Sequence, residues 1–215
     1  MYFPITIIDN FYSNFNKVLS LVNNTKFISK KNVYMPGLSS DHLNNLDTNI
    51  NEECVMKIIR NYYSRRTYTG YNYVTWFDKI TPYNNQHVTE GWIHYDDDNK
   101  LTGILFICGE VNEGLSFYEK NDNYEHQNFF NIKKQLYLGE NVDNALYNKK
   151  IKEHNANFNK ILDVSFRPNR LVLFDSSMYH AANGMGSVNK PRIIQPIFFQ
   201  KIIADYFPIP EMNRI

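Results

Sequence analysis

The sequence has few cysteines and no excess of charge of either sign, and both shortages exclude classes of protein. Only Cys54 and Cys108 occur, and neither belongs to a CxxC pair. A disulfide framework is therefore not expected, and a reducing compartment suits the chain. The 23 basic and 22 acidic residues give a net charge of +1, so the basic excess that favours nonspecific nucleic-acid binding is missing. Nucleic acid is not the expected partner.

Long apolar runs are also lacking. No stretch approaches the roughly 20 apolar residues that a membrane-spanning helix needs. Residues 1–5 lack the basic start and the apolar stretch of a secretory signal. We therefore expect a cytoplasmic protein that does not bind membranes.

The chain does have the material for a packed core. Of its 215 residues, 43% are hydrophobic and 15% aromatic, which excludes a disordered chain and suits one domain over residues 1–215. Apolar periodicity predicts two early helices, one that starts after an N-cap at Ser13 and ends at Asn24, and one over 52–63.

Most of the remaining chain favours strands. Apolar and β-branched runs predict them at 3–8, 71–77, 90–95, 101–107, 114–118, 161–166, 170–174 and 193–199. Residues 119–163 are rich in Asn, Lys and Asp, with weak helical character over 132–151, and indicate an insertion between core strands. Helices followed by many short strands predict an α+β fold with a β-sandwich or barrel core.

The predicted strand over 90–95 ends in His94-Tyr95-Asp96. Side chains two residues apart on a strand point to the same face, so this imidazole and this carboxylate converge. They would supply two of the three ligands of a 2-His-1-carboxylate iron site. Of the other five histidines, only His180 follows a clear core strand, over 171–175, and precedes another.

Arg192 lies twelve residues after His180, at the start of the last predicted strand. A guanidinium that points into an apolar barrel is costly unless it meets an anion, and its fork matches a carboxylate. Each residue also has an ordinary structural interpretation. His94 is then a half-buried histidine, Asp96 a turn residue, His180 a loop cap and Arg192 the partner of a structural carboxylate.

Taken together in this order and spacing, these four residues resemble the 2-oxoglutarate/Fe(II)-dependent dioxygenase superfamily, in its prolyl-4-hydroxylase-like branch. The flanking segments agree over roughly 71–200, the insertion excepted. Residues 101–107 resemble the strand after the HxD motif. Residues 113–118 resemble the Gly-Gly-x-x-x-Phe/Tyr turn, with Glu113 in place of the first glycine. Residues 168–175 resemble the strand before the distal histidine, without its glycine.

The resemblance implies a double-stranded β-helix, of the jelly-roll or cupin kind, supported by the N-terminal helices. It implies Fe(II) held by His94, Asp96 and His180, with 2-oxoglutarate and O2 as cosubstrates. The 5-carboxylate of 2-oxoglutarate would bind Arg192, and Tyr83 and Thr102 would contact the cosubstrate.

The function implied is hydroxylation of a peptidyl side chain, an amino acid or a small metabolite. The presence of Asp96 favours hydroxylation, because halogenating members lack this carboxylate. Two alternatives stay open on the same fold. One is a catalytically silent metal-binding or interaction module, and the other is a cupin-type metalloprotein that does not use 2-oxoglutarate.

Overall fold

The computed structural model describes residues 5–29, 37–62, 68–81, 91–96, 98–122, 144–187 and 189–204. The helices in these ranges are α1 (Phe15–Asn24), α2 (Leu43–Leu46), α3 (Thr48–Tyr62) and α4 (Asn144–Asn155). The strands are β1 (Ile5–Ile8), β2 (Leu38–His42), β3 (Tyr68–Ile80), β4 (Leu101–Cys108), β5 (Leu115–Lys120), β6 (Phe158–Val164), β7 (Arg170–Asp175), β8 (Tyr179–Ala182) and β9 (Arg192–Ala204).

Two antiparallel sheets form the core. The larger has the strand order β1-β7-β4-β9-β3-β2, and the smaller has the order β6-β5-β8. An isolated bridge between His94 and His180 places residues 91–96, called the segment 91–96 below, beside the outer edge of β8. The interior is apolar and includes the aromatic rings of Phe106, Phe117 and Phe174. This is an α+β double-stranded β-helix, and the fold prediction is confirmed.

The outer face of the larger sheet is covered by the N-terminal helices. Val18 of α1 and Ile58 of α3 belong to one buried cluster with Leu105 of β4 and Leu173 of β7. Strand β4 therefore has apolar neighbours on both faces, because its even-numbered side chains point into the interior and its odd-numbered ones meet the helices. This explains its near-continuous hydrophobic run.

The predicted boundaries of α1 and α3 need small corrections. The N-cap of α1 is Asn14, whose side-chain oxygen accepts a hydrogen bond from the Lys17 amide, and not Ser13. The Ser13 hydroxyl instead accepts a bond from the Lys57 ammonium group. Helix α3 begins four residues before the predicted start at residue 52. No described helix has the length and apolar character required to cross a membrane.

Two predictions near the site differ more. Residues 91–95 do not form a regular strand, because His94 makes an isolated bridge and not a continuous ladder. The predicted insertion over 119–163 includes residues of two paired strands at its ends, because β5 continues to Lys120 and β6 begins at Phe158. Within it, α4 runs to Asn155, four residues past the predicted end at 151, while the predicted start at 132 lies among residues 123–143, outside the described part of the chain.

Candidate metal centre

His94, Asp96 and His180 meet at one point between the two sheets. Their potential ligand atoms all lie within 4.8 Å of one another. The Nε2 atom of His94 is 3.9 Å from Asp96 Oδ1, and the Nε2 atom of His180 is 3.7 Å from Asp96 Oδ2. These separations are too long for hydrogen bonds and leave room for a metal ion among the three groups.

Both imidazole rings are oriented in the same way. The Nδ1 atom of His94 is 2.8 Å from the Trp92 carbonyl oxygen, and that of His180 is 2.9 Å from the Met178 carbonyl oxygen. A carbonyl oxygen only accepts, so Nδ1 carries the proton in each ring. In the neutral rings Nε2 then holds the lone pair that a metal ion requires.

The Asp96 carboxylate accepts a hydrogen bond from Thr102, whose hydroxyl also contacts that of Ser176. Thr102 Oγ1 donates to Asp96 Oδ2 at 2.8 Å and lies 2.9 Å from the hydroxyl of Ser176. The Asp96 amide also donates to the Ser176 carbonyl oxygen at 2.8 Å. Thr102 and Ser176 are fully buried. The predicted cosubstrate contact, Thr102, is therefore a hydrogen-bond donor to a candidate metal ligand.

Arg192 is buried in the interior, with 1% of its surface exposed. Its NH1 group donates to the Gly184 carbonyl oxygen at 3.0 Å, and its carbon Cζ lies 5.6 Å from the centre of the Phe106 ring. Among the residues that the structure describes, its Nε–H group has no hydrogen-bond partner. Burial lowers the pKa of Arg192 to about 10, although the charge of Glu113 acts in the other direction.

One face of β4 links the metal ligands to Arg192. Thr102, Ile104 and Phe106 are buried on the same face of this strand. Thr102 bonds to Asp96, while the ring of Phe106 lies beside the guanidinium of Arg192. Four strand residues span roughly 13 Å. The cation and the ligand set therefore face the same interior at opposite ends of a short apolar row.

The donor set fits a divalent transition metal. Two neutral imidazoles and one carboxylate, all reaching one point, are the ligands that non-haem Fe(II) centres use, and they leave positions open for other molecules. A buried guanidinium whose Nε–H group has no partner among the described residues fits a carboxylate anion. Tyr83, the other predicted cosubstrate contact, lies outside the described residues.

Several supporting residues were not predicted from the sequence. Ser176 supports Asp96, and Glu113 is buried beside Gly184, with its carboxylate accepting the Glu110 amide at 2.7 Å. His154 and Asn155 of α4 bind the backbone of the segment 91–96. Only Glu113 left a signal, as the departure from the family's double glycine. The other three act through backbone atoms or a single hydroxyl and create no spacing pattern.

Comparison with known proteins gives a family. A model of the family of unknown function DUF6445 matches residues 2–189. The chain belongs to the DUF6445 family. The matched region contains the three candidate ligands of this DUF6445 protein and ends before Arg192. No curated protein sequence matches the chain.

Solved structures share the fold of this DUF6445 protein at low sequence identity. The non-haem α-ketoglutarate-dependent epimerase SnoN from nogalamycin biosynthesis has a TM-score of 0.54 at 9% identity, over 91% of this chain and 78% of SnoN. HygX from Streptomyces hygroscopicus, with nickel and 2-oxoglutarate bound, has a TM-score of 0.51 at 7% identity, over 96% of this chain and 85% of HygX. EvdO2 from Micromonospora carbonacea var. aurantiaca, complexed with 2-oxoglutarate, has a TM-score of 0.51 at 12% identity, over 96% of this chain and 90% of EvdO2. The fold is that of 2-oxoglutarate-dependent oxygenases.

Proposed function

We propose that this protein is an Fe(II)- and 2-oxoglutarate-dependent dioxygenase of the prolyl-4-hydroxylase-like branch. It hydroxylates a peptidyl side chain, an amino acid or a small metabolite. The observation that carries the proposal is the convergence of His94, Asp96 and His180 within 4.8 Å, with both Nδ1 atoms bonded to backbone carbonyl oxygens. Two of the similar structures named above have 2-oxoglutarate bound, which agrees with the proposal.

Each residue has a separate task. His94, Asp96 and His180 would hold Fe(II), and the bound metal would supply the oxidising chemistry in which O2 converts 2-oxoglutarate into succinate and CO2 and the second oxygen atom enters the substrate. Arg192 binds the 5-carboxylate through its guanidinium fork, and this anion would offset the cost of burying the cation. Thr102 keeps the Oδ2 atom of Asp96 engaged, which would leave Oδ1 as the oxygen for the metal ion.

The exposure of the ligands indicates the side from which the substrate enters. The His180 side chain is 5% exposed and contacts the rings of Phe117 and Phe174, whereas the His94 side chain is 48% exposed. The His180 side is therefore closed by aromatic packing, which excludes water there. A substrate would approach over His94.

The test is anaerobic titration with Fe(II) and 2-oxoglutarate, followed by assay of succinate after exposure to air. We expect 2-oxoglutarate to bind only when the metal is present and succinate to form only after O2 is admitted. His94→Ala and His180→Ala should lose metal binding. Arg192→Ala should retain the metal and lose 2-oxoglutarate, while Arg167→Ala, which removes a guanidinium that pairs with Asp9 on the surface, should behave as the wild type.

The same titration separates the alternatives. A silent module would bind metal without forming succinate. A cupin-type metalloprotein would bind metal but show no metal-dependent uptake of 2-oxoglutarate. Uptake that is unchanged in Arg192→Ala would refute the cosubstrate site.

A further inference from the structure

The segment 91–96 presents backbone hydrogen-bonding groups on two edges, and β8 bonds to those of the inner edge. The His94 amide donates to the His180 carbonyl oxygen at 3.0 Å, and the His180 amide donates to the His94 carbonyl oxygen at 2.8 Å. The Gly91 amide donates to the Ala182 carbonyl oxygen at 2.9 Å. Neither the amide nor the carbonyl of Ile93 takes part in these bonds, because alternate residues of an extended chain turn their backbone groups outward.

Two side chains at the C-terminal end of α4 bind these outward groups. The Asn155 side chain accepts a hydrogen bond from the Ile93 amide at 3.1 Å and donates to the Gly91 carbonyl oxygen at 3.0 Å. An amide group that bonds to a carbonyl and to the N–H two residues later reproduces the contacts of a neighbouring parallel strand. His154 Nε2 donates to the Ile93 carbonyl oxygen at 2.7 Å.

Packing fixes this end of α4 against the segment. The His154 ring lies 5.3 Å from the Trp92 ring and 5.2 Å from the Phe158 ring, and His154 is 6% exposed. The Trp92 indole N–H points to the Tyr147 hydroxyl at 3.3 Å. Side chains from two turns of α4 thus contact the segment from outside the smaller sheet.

We propose that Asn155 and His154 are positioning residues of the metal centre and that the end of α4 takes the place of a strand at the outer edge of the segment 91–96. This inference rests on the proposed function for its metal. The Trp92 carbonyl that orients His94 lies between the two residues whose backbone groups Asn155 and His154 bind. Loss of these bonds lets the segment move against β8, and a shift in register would turn His94 and Asp96 away from His180.

The decisive variant is Asn155→Ala, which removes both bonds of the amide group. The matched control is Asn157→Ala, because the Asn157 amide donates to the carbonyls of Glu153 and His154 at the end of α4. His154→Phe tests the second contact, since it retains a packed ring and removes the bond to Ile93.

Two measurements are made on the full-length chain. Hydrogen exchange of the Ile93 amide is followed in metal-free protein, and Mn(II) affinity is measured without 2-oxoglutarate. We expect Asn155→Ala to speed exchange at Ile93 at least about tenfold, to weaken Mn(II) binding about tenfold, as loss of a supporting hydrogen bond does at other metal sites, and to leave β4 exchange unchanged. Asn157→Ala should stay within about twofold of the wild type in the exchange rate of the Ile93 amide and in Mn(II) affinity.

The outcomes distinguish this inference from the proposed function. Unchanged exchange at Ile93, or faster exchange with unchanged Mn(II) affinity, overturns the positioning role and leaves the dioxygenase proposal intact. Wild-type protein that binds Mn(II) but forms no succinate overturns the dioxygenase proposal, while the effect of Asn155→Ala on Mn(II) would still support the positioning role. Wild-type protein that binds no metal ion overturns both.

Discussion

The Thr102 hydroxyl lies between the Asp96 carboxylate and the Ser176 hydroxyl. Because it bonds to a candidate metal ligand, removal of this hydroxyl should affect metal binding. Thr102→Val keeps the shape of the side chain and leaves Asp96 Oδ2 without this donor. Loss of a bond that supports a metal ligand typically costs 10- to 100-fold in affinity. We expect Thr102→Val to weaken Mn(II) binding by about that factor and Thr102→Ser to restore it, as measured by calorimetry.

The alternative role of Thr102 gives a different result. If Thr102 contacts the cosubstrate, as the family resemblance implies, Thr102→Val would retain Mn(II) affinity and lose affinity for 2-oxoglutarate alone. That result would contradict the role inferred from the hydrogen bond to Asp96.

Arg192 should destabilise the ligand-free protein. Burial lowers its pKa to about 10, well below its value in the unfolded chain, so its favourable contribution to stability exists only above that unfolded value and is lost as the pH falls through 10. At neutral pH the full cost of burying the charge is present. Arg192→Met should therefore leave the free energy of unfolding unchanged or raise it by up to about 4 kcal/mol.

Urea unfolding at pH 7 without 2-oxoglutarate measures this effect. Arg167→Met, at a guanidinium that is largely exposed, is the control. A marked loss of stability in Arg192→Met would show that the guanidinium has a structural partner, and would count against an anchor reserved for a ligand.

Sequence spacing could locate the residues that converge but not those that support them. His94, Asp96 and His180 were found because strand periodicity and chain order constrain ligands directly. Ser176 and Asn155 act on backbone groups that any residue presents, so their roles depend on which segments become neighbours in the fold.

Among the elements, the connection from β4 in the larger sheet to β5 in the smaller sheet depends on Gly114. A Cβ atom at this position would overlap the carbonyl oxygen of Val164, the residue at the end of β6 that pairs with Leu115. Backbone would have to move, and forced packing of this kind costs about 1–3 kcal/mol or more. Gly114→Ala should lower the free energy of unfolding by at least that amount in urea titration.

Gly70 of β3 is the matched comparison for Gly114. A Cβ atom at Gly70 would meet only the Ile203 side chain, at an ordinary contact distance of 3.6 Å. We expect Gly70→Ala to stay within about 1 kcal/mol of the wild type, since alanine also costs less backbone entropy than glycine. Equal effects of the two substitutions would disprove the close approach at Gly114.

The strands of the larger sheet were more predictable than the segment that carries the HxD motif. Residues 101–107 and 193–199 are apolar on both faces and lie within β4 and β9. The segment 91–96 has strand-like residues but, within the described part of the chain, a strand neighbour on one edge only, and α4 occupies the other edge. Local propensity does not encode that replacement, because it depends on a helix about 60 residues away, as in the contact of Ile93 with Asn155.

For the molecule as a whole, acid should weaken the fold through carboxylates that join distant segments. The bonds from Arg170 hold the pKa of Asp9 below 3.8 and attach the end of β1 to β7, and Lys17 similarly lowers the pKa of Asp47 at the start of α3. These contributions are complete above the unfolded pKa of about 4 and are lost as the pH falls through the lower folded values.

Chemical unfolding measured from pH 6 to pH 2.5 checks this dependence. We expect the free energy of unfolding to fall below pH 4, with a shallower slope in Asp9→Asn, which no longer titrates. A wild-type curve that is flat across this range, or a variant with the wild-type slope, would refute it.

The bridge between His94 and His180 joins positions on either side of the described segment that includes α4. An ion bound to these histidines and Asp96 would cross-link residues 84 positions apart (180 minus 96), and its binding free energy would add to that of folding. The melting temperature then becomes a reporter of occupancy. A library of amino acids, peptides and metabolites can be screened by the additional shift each produces on metal-loaded protein, before any turnover has been detected.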